Sequence, residues 1–296
     1  MRHRRRVLPV LLLALLLGLA ACGGDEQEPI TVGAFDFPES LLLATLYAEA
    51  LEGAGYTASV QQAGTREALL PALENGDVDV LPEYNGNALN FLLDGEAPIA
   101  DSATIDAELA EAVADRGLVV LDAADAENGD ELAMTSERAA ELGVVTVGDL
   151  VGQEGDLVIA GPPEFAERTT GLLGLEEVYG LSFGEVLQTD ACGPETFDAL
   201  ASGAADVARL CSTDPPVLEQ GWVLLEEDIP FTLPNNIVPL AREGALDEGA
   251  VAVLNDVSAQ LTTADLQDFN ARFGGDDPED ADVIVTGWLT SVGLLD

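Results

Sequence analysis

The chain has 296 residues, of which 48% are hydrophobic, and it carries 55 acidic residues against 11 basic ones for a formal charge of −44. That apolar content argues against disorder, while the acidic surface repels nucleic acid and anionic lipid. The basic residues are all arginines; a lysine-free, self-repelling surface needs salt to screen it, which points to a high-salt habitat.

The N-terminus reads MRHRRRVLPVLLLALLLGLAACGG. A basic block followed by an apolar block shorter than the roughly 20 residues of a membrane span is a secretory signal. It ends at Leu19-Ala20-Ala21-Cys22, small residues before a cysteine, which resembles a lipoprotein cleavage site. Residues 1–21 are therefore expected to be removed, Cys22 to be acylated, and residues 22–29 to form a polar tether. The expected location is the outer face of the cytoplasmic membrane. The mature chain then holds seven arginines against 55 acids, a charge of −48. The single histidine, His3, leaves with the signal. Ser-His-Asp and Cys-His catalysis and His-ligated metal sites are thereby excluded, and no cofactor or metal is expected.

Ile30–Ala34 reads as a strand and Pro38–Gly55 as an amphipathic helix with Leu43, Leu46, Tyr47, Ala50 and Leu51 on one stripe. Tyr56–Gln62 alternates as a strand. Thr65 opens a helix that stops at Asn75-Gly76. Val78–Leu81 is a buried strand, ending in Pro82-Glu83-Tyr84 before a helix near Asn87–Leu93. Ile105–Arg116 is helical and Leu118–Leu121 a strand. This β/α alternation is a doubly wound signature.

The pattern restarts with a strand at Leu157–Ala160, a helix at Pro163–Leu173, a strand at Val186–Thr189, a helix at Glu195–Ala201 and a strand at Asp206–Cys211. Ala72–Val80 and Ala199–Val207 both read A-L-x-x-G-x-x-D-V, so one helix–turn–strand unit occurs in each half. Two links, Asp122–Ala133 and Glu226–Pro239, separate the halves, and a helical stretch (Gly249–Phe273) follows the second. The expected organisation is a first lobe of residues 30–127 and 240–296 and a second lobe of residues 128–239. Clefts between such lobes bind small molecules.

Cys192 and Cys211 end two strands joined by one helix. In an oxidising exterior an even pair reads as a disulfide; two buried thiols are the other reading. The acidic run from Asp276 to Asp282 lacks the spacing of an EF-hand and reads as a solvated loop.

GTREALLPALENGDVDVLPEYNGNAL resembles the signature of the glycine betaine/choline (osmoprotectant) substrate-binding proteins of ABC importers. So, in family order, do Phe37-Pro38-Glu39, Pro163-Glu164-Phe165 with Arg168, Gly193-Pro194, Thr213-Asp214-Pro215 and Asn235-Asn236-Ile237-Val238-Pro239. The resemblance implies a type II periplasmic-binding-protein fold, α/β, with two doubly wound lobes and no catalysis. It implies delivery of a quaternary ammonium osmolyte to a permease powered by a separate ATPase, the binding protein acting as a monomer. With no lysine the chain cannot complete a P-loop.

Trimethylammonium groups are held by aromatic faces, and ligands sit beyond the carboxyl ends of strands. Tyr84, Phe35, Phe37 and Phe165 follow strands and are the expected cage. Each phenylalanine has core packing as its ordinary alternative. A ligand carboxylate, as in glycine betaine, would pair with Arg168, whose alternative is a surface ion pair with Glu164 at helical spacing. Thr65 and its helix N-terminus are further donors, the alternative for Thr65 being simple capping. Thr213, Asp214 and Asn236 are also expected near ligand, though Asn235 and Asn236 could instead satisfy hinge backbone. Many relatives read Lys-Asn-Phe-Thr-Glu-Gln after the first strand. Here the Lys and Gln are missing, and Asp36 tilts the expected ligand towards a plain cation such as choline. Competing readings are a receptor for another solute such as an amino acid, or a lipid-anchored carboxylate hydrolase.

Overall fold

The structure is a computed structural model and describes residues 28–190, 192–275 and 277–295. The signal, Cys22 and all of the tether before residue 28 lie outside the described residues. The chain opens with β1 (Ile30–Ala34), α1 (Pro38–Gly53), β2 (Ala58–Gln62), α2 (Arg66–Asn75), β3 (Val80–Tyr84), α3 (Asn85–Leu92), α4 (Ser102–Ala114) and β4 (Leu118–Val120). Local chemistry sets several of these ends. Pro38 begins α1, where its missing N–H costs nothing. The Asp101 carboxylate caps α4 by accepting the Thr104 N–H.

A second group follows: β5 (Asp130–Met134), α5 (Ser136–Leu142), β6 (Val158–Gly161), α6 (Leu172–Gly174), β7 (Glu185–Gln188), α7 (Pro194–Ala201), β8 (Val207–Cys211), α8 (Pro215–Glu219) and β9 (Val223–Leu224). The chain returns with β10 (Ile237–Arg242), α9 (Glu248–Ser258), α10 (Thr263–Gly274) and α11 (Ala281–Ser291). The strands form two five-stranded mixed sheets, ordered β2-β1-β3-β10-β4 and β7-β6-β8-β5-β9. In each sheet three parallel strands meet one antiparallel strand that enters from a crossover, β10 in the first and β5 in the second. The first lobe has one continuous core; the second has two smaller clusters.

Several expectations shift. β3 runs on to Tyr84, so Pro-Glu-Tyr belongs to the strand rather than to a link after it. A proline normally ends a central strand. Here β1 is in register with β3 only at Val32–Val80, before Pro82, and on the other side Pro82 faces Pro239. Two opposed prolines must form a non-hydrogen-bonded pair, which needs no donor from either. Pro163–Leu173 is not one helix. A 3-10 turn (Pro163–Glu167) gives way to irregular chain, then α6 and a π turn. Gly171 and Gly174 lie against the backbone carbonyls of Phe165 and Thr169, leaving no room for side chains. The first link contains β5, and the second ends in β10, so the first sheet takes Ile237–Pro239, three residues before the expected boundary. The final helical stretch divides at a capping box between Thr262 and Asp265. It is followed by α11, which packs on α1.

The two crossovers run side by side. Glu127 and Asn236 form an antiparallel bridge, and the Asn128 N–H donates to the Asn235 carbonyl at 3.1 Å.

Candidate functional site

A cleft of about 830 Å³ lies between the lobes, at the carboxyl ends of β1, β3 and β8, within the usual range of small-molecule sites of about 300–1,000 Å³. Its first-lobe wall is aromatic. Phe35 and Phe37 stack in parallel with centroids 6.0 Å apart, and Phe37 lies 6.0 Å from the Tyr84 ring. Phe35 is buried, its ring also facing the Arg66 guanidinium at 5.0 Å. Phe37 is 39% exposed and is the ring open to the cleft. From the second lobe Phe197, tilted against Trp222 at 6.3 Å, lines the same space.

The floor is organised by Glu39, in the first turn of α1 and 4% exposed. Its Oε1 accepts from the Tyr84 hydroxyl and the Asn128 amide, each at 2.7 Å. Its Oε2 accepts from the Thr213 hydroxyl and the Asn270 amide, each at 2.6 Å. One carboxylate thus joins the first lobe, the first crossover, the second lobe and α10. Burial, then the adjacent Glu39 charge and hydrogen bond, push the Tyr84 phenol well above its usual value, so it stays protonated and donates.

Two arginines line the cleft, and both are already paired. Arg66 holds Glu83 with two hydrogen bonds of 2.7 and 2.9 Å; Glu83 is 1% exposed. Arg209 bonds to Asp130 and donates to the Cys192 sulfur at 2.8 Å; burial pushes its guanidinium down to about 10. Cys192 and Cys211 are joined by a disulfide that forms part of the second-lobe wall. Beside it, burial raises the Asp214 carboxyl to about 7, despite the Cys211 N–H that donates to it at 2.8 Å. Asp36 and Glu67 also line the cleft. The lining therefore has more carboxylates than guanidiniums.

Of the residues expected near a ligand, Phe35, Phe37, Thr65, Tyr84, Thr213 and Asp214 all line this cleft. Thr65 occupies the N-cap position of α2 without bonding a helix N–H. Its hydroxyl instead helps hold the Glu67 carboxyl below its usual range, so a carboxylate already sits at this helix start.

Phe165 does not line the cleft. It is buried in a second-lobe core cluster, its ring packed against Gly161 where a side chain would collide with it. Asn236 is also elsewhere. Its N–H donates to Asn85, its amide to the Ala124 carbonyl, and its Oδ1 accepts from Ser102. All three groups are spent on tying the second crossover to α3, α4 and the first crossover, the amide meeting a backbone carbonyl there as in the alternative reading.

Arg168 opens onto a smaller polar cavity of about 40 Å³, lined also by Asn87, Asn90, Asp130, Thr232 and Asn235. Asn87 and Asp130 line both spaces, so the small cavity is an annex of the cleft. Six of the seven arginines after the signal form carboxylate ion pairs. Among the described residues Arg168 is the one without such a partner.

Glu39, Arg66, Asn128, Phe197, Arg209 and Asn270 were not foreseen as cleft residues. Arg66 and Arg209 had a usable signal, since so few arginines survive the signal peptide. Glu39 had a weaker one: a glutamate at a helix start reads first as a partner of the helix dipole.

Two α/β lobes, two laced crossovers and an aromatic, acidic cleft between them define a solute-binding protein of the type II periplasmic-binding-protein fold class. Residues 28–291 match the family described as the substrate binding domain of ABC-type glycine betaine transport systems, and the chain belongs to that family. It is 28% identical over 270 residues to a glycine-betaine-binding protein of Pseudomonas aeruginosa, covering 86% of this chain and 85% of that protein. It is 27% identical over 278 residues to the glycine betaine-binding protein YehZ of Escherichia coli, covering 88% of each. The crystal structure of a glycine betaine/carnitine/choline ABC transporter shares the fold, with a TM-score of 0.82 at 23% identity, covering 90% of this chain and 100% of that one.

Proposed function

We propose that the protein captures a quaternary ammonium solute, choline or glycine betaine, in the interlobe cleft and delivers it to the permease of an ABC importer. Cys22, acylated, would tether the monomer to the outer face of the cytoplasmic membrane. The observation that carries the reading is the exposed Phe37 ring beside Tyr84, set across from Phe197 in a cleft with surplus carboxylates. A trimethylammonium group has no N–H to donate, so it is attracted by aromatic faces and by diffuse negative charge. Amines with N–H groups would instead require aimed acceptors. Arg168, at the polar annex and without an ion pair among the described residues, supplies a guanidinium for a ligand carboxylate.

Calorimetric titration with choline, glycine betaine and several amino acids, at high and low salt, tests the reading. Binding of a quaternary amine supports it; tight binding of an amino acid with none of a quaternary amine overturns it. Tyr84→Ala should weaken quaternary-amine binding at least about tenfold. Arg168→Gln should weaken glycine betaine and leave choline unchanged.

A further inference from the structure

The four groups that bond to Glu39 are all neutral: a phenol, an alcohol and two carboxamides. Each carboxylate oxygen meets one amide N–H and one hydroxyl. Glu39 is thus a carboxylate side chain in the cleft floor whose hydrogen-bond partners include no cation. The guanidiniums that line the same cleft are committed elsewhere, Arg66 to Glu83 and Arg209 to Asp130. Hydrogen bonds meet the lone pairs of a buried charge, but they do not cancel its field. The start of α1 offsets only part of it. Among the described residues no fixed cation completes the balance.

We propose that Glu39 is the counter-charge for the cationic head of the ligand, and hence the residue that makes the cleft select a charged ammonium over an uncharged group of the same shape. This rests on the quaternary-ammonium reading of the cleft. The aromatic wall alone discriminates less well, because Phe37 and Tyr84 would also pack against a neutral tert-butyl group through apolar contact. A carboxylate in a site partly removed from water acts on charge itself, with an attraction much larger than in bulk solvent. Glu39 also holds the Tyr84 hydroxyl, so the same group positions the ring and sets the field behind it.

The test compares choline with its carbon isostere, 3,3-dimethylbutan-1-ol, on the disulfide-intact mature chain at one ionic strength. The unaltered protein should bind choline the more tightly. Glu39→Gln should weaken choline by about tenfold or more while changing the isostere by less than about threefold, so the ratio collapses. Equal weakening of both, or unchanged choline affinity, overturns the proposal. Thermal unfolding reports whether Glu39→Gln folds. Glu39→Asp keeps the charge and disturbs the hydrogen bonds, so it decides the matter independently: the choline preference persists if charge is what matters, and its loss overturns the proposal. If the unaltered protein binds no quaternary amine, the functional reading itself falls and takes this inference with it.

Discussion

In the first lobe, Gly76 ends α2 in the left-handed region (φ 82°), and three residues later Asp79 accepts the Thr31 N–H of β1 at 2.9 Å and pairs with Arg242 at 2.6 Å. In the second lobe, Gly203 follows α7 at φ 73°, and Asp206 accepts the Val158 N–H of β6 at 2.9 Å and pairs with Arg138 at 2.8 Å. The shared A-L-x-x-G-x-x-D-V run is therefore one joint built twice: a left-handed turn, then an aspartate that ties a neighbouring strand to an arginine. Beyond the joint the lobes diverge. β3 ends in a buried glutamate held by Arg66 and an aromatic ring. β8 ends in a disulfide, with Arg209 and a hard-to-ionise Asp214 beside it. Where the two halves agree, the residues serve folding; where they differ, they line the cleft.

The largest test of this comparison acts on one lobe only. The Cys192–Cys211 link spans 19 residues, and reducing it should cost roughly 3 kcal/mol by the loop-closure argument. Calorimetry should then show an early transition from the second lobe, with the first lobe's transition in place. Equal shifts of both would mean that the lobes unfold as one unit.

Next in size, Asp79→Ala and Asp206→Ala each strand a backbone N–H and remove an arginine's partner, although Arg138 keeps its pair with Glu141. Each should cost about 2 kcal/mol in denaturant unfolding, and the double variant should show the sum. Unequal losses would break the equivalence of the joints. Gly76→Ala and Gly203→Ala should each cost about 1 kcal/mol, since an L side chain resists positive φ.

A last test separates the strand exits by pH. Asp214 sits near 7 when folded, against an ordinary 3.8. Between those values the folded chain keeps a proton that the unfolded chain has lost. Its contribution to stability is therefore full below about 4 and is lost as pH rises through 7. A bound cation favours the ionised form, so binding near pH 7 should release protons, measurable as a buffer-dependent binding heat. Asp214→Asn should abolish that release; its persistence would assign the proton to another group.

Much of the fold was legible in the sequence, because β1, α1, α2 and the repeated joint each carry their own periodicity and turn residues. β5 and β9 were not, since one hides in an acidic link and the other is two residues long. The aromatic wall could be inferred from position after strands, but Phe165 shows the limit of that rule. The same placement served the second-lobe core, and Phe197 on α7 took the cleft position instead. Glu39 was opaque for a deeper reason. Its four partners are 45, 89, 174 and 231 residues away along the chain, so its role exists only once both lobes and α10 have assembled.

The laced crossovers have a mechanical consequence. Two parallel, unconnected tethers would let the lobes twist and slide as well as open. Bonded to each other through Glu127, Asn128, Asn235 and Asn236, they behave as one flat strap, stiff to torsion and compliant to bending. That lacing favours a jaw-like bending about the strap over twisting, and bending there would open or shut the cleft.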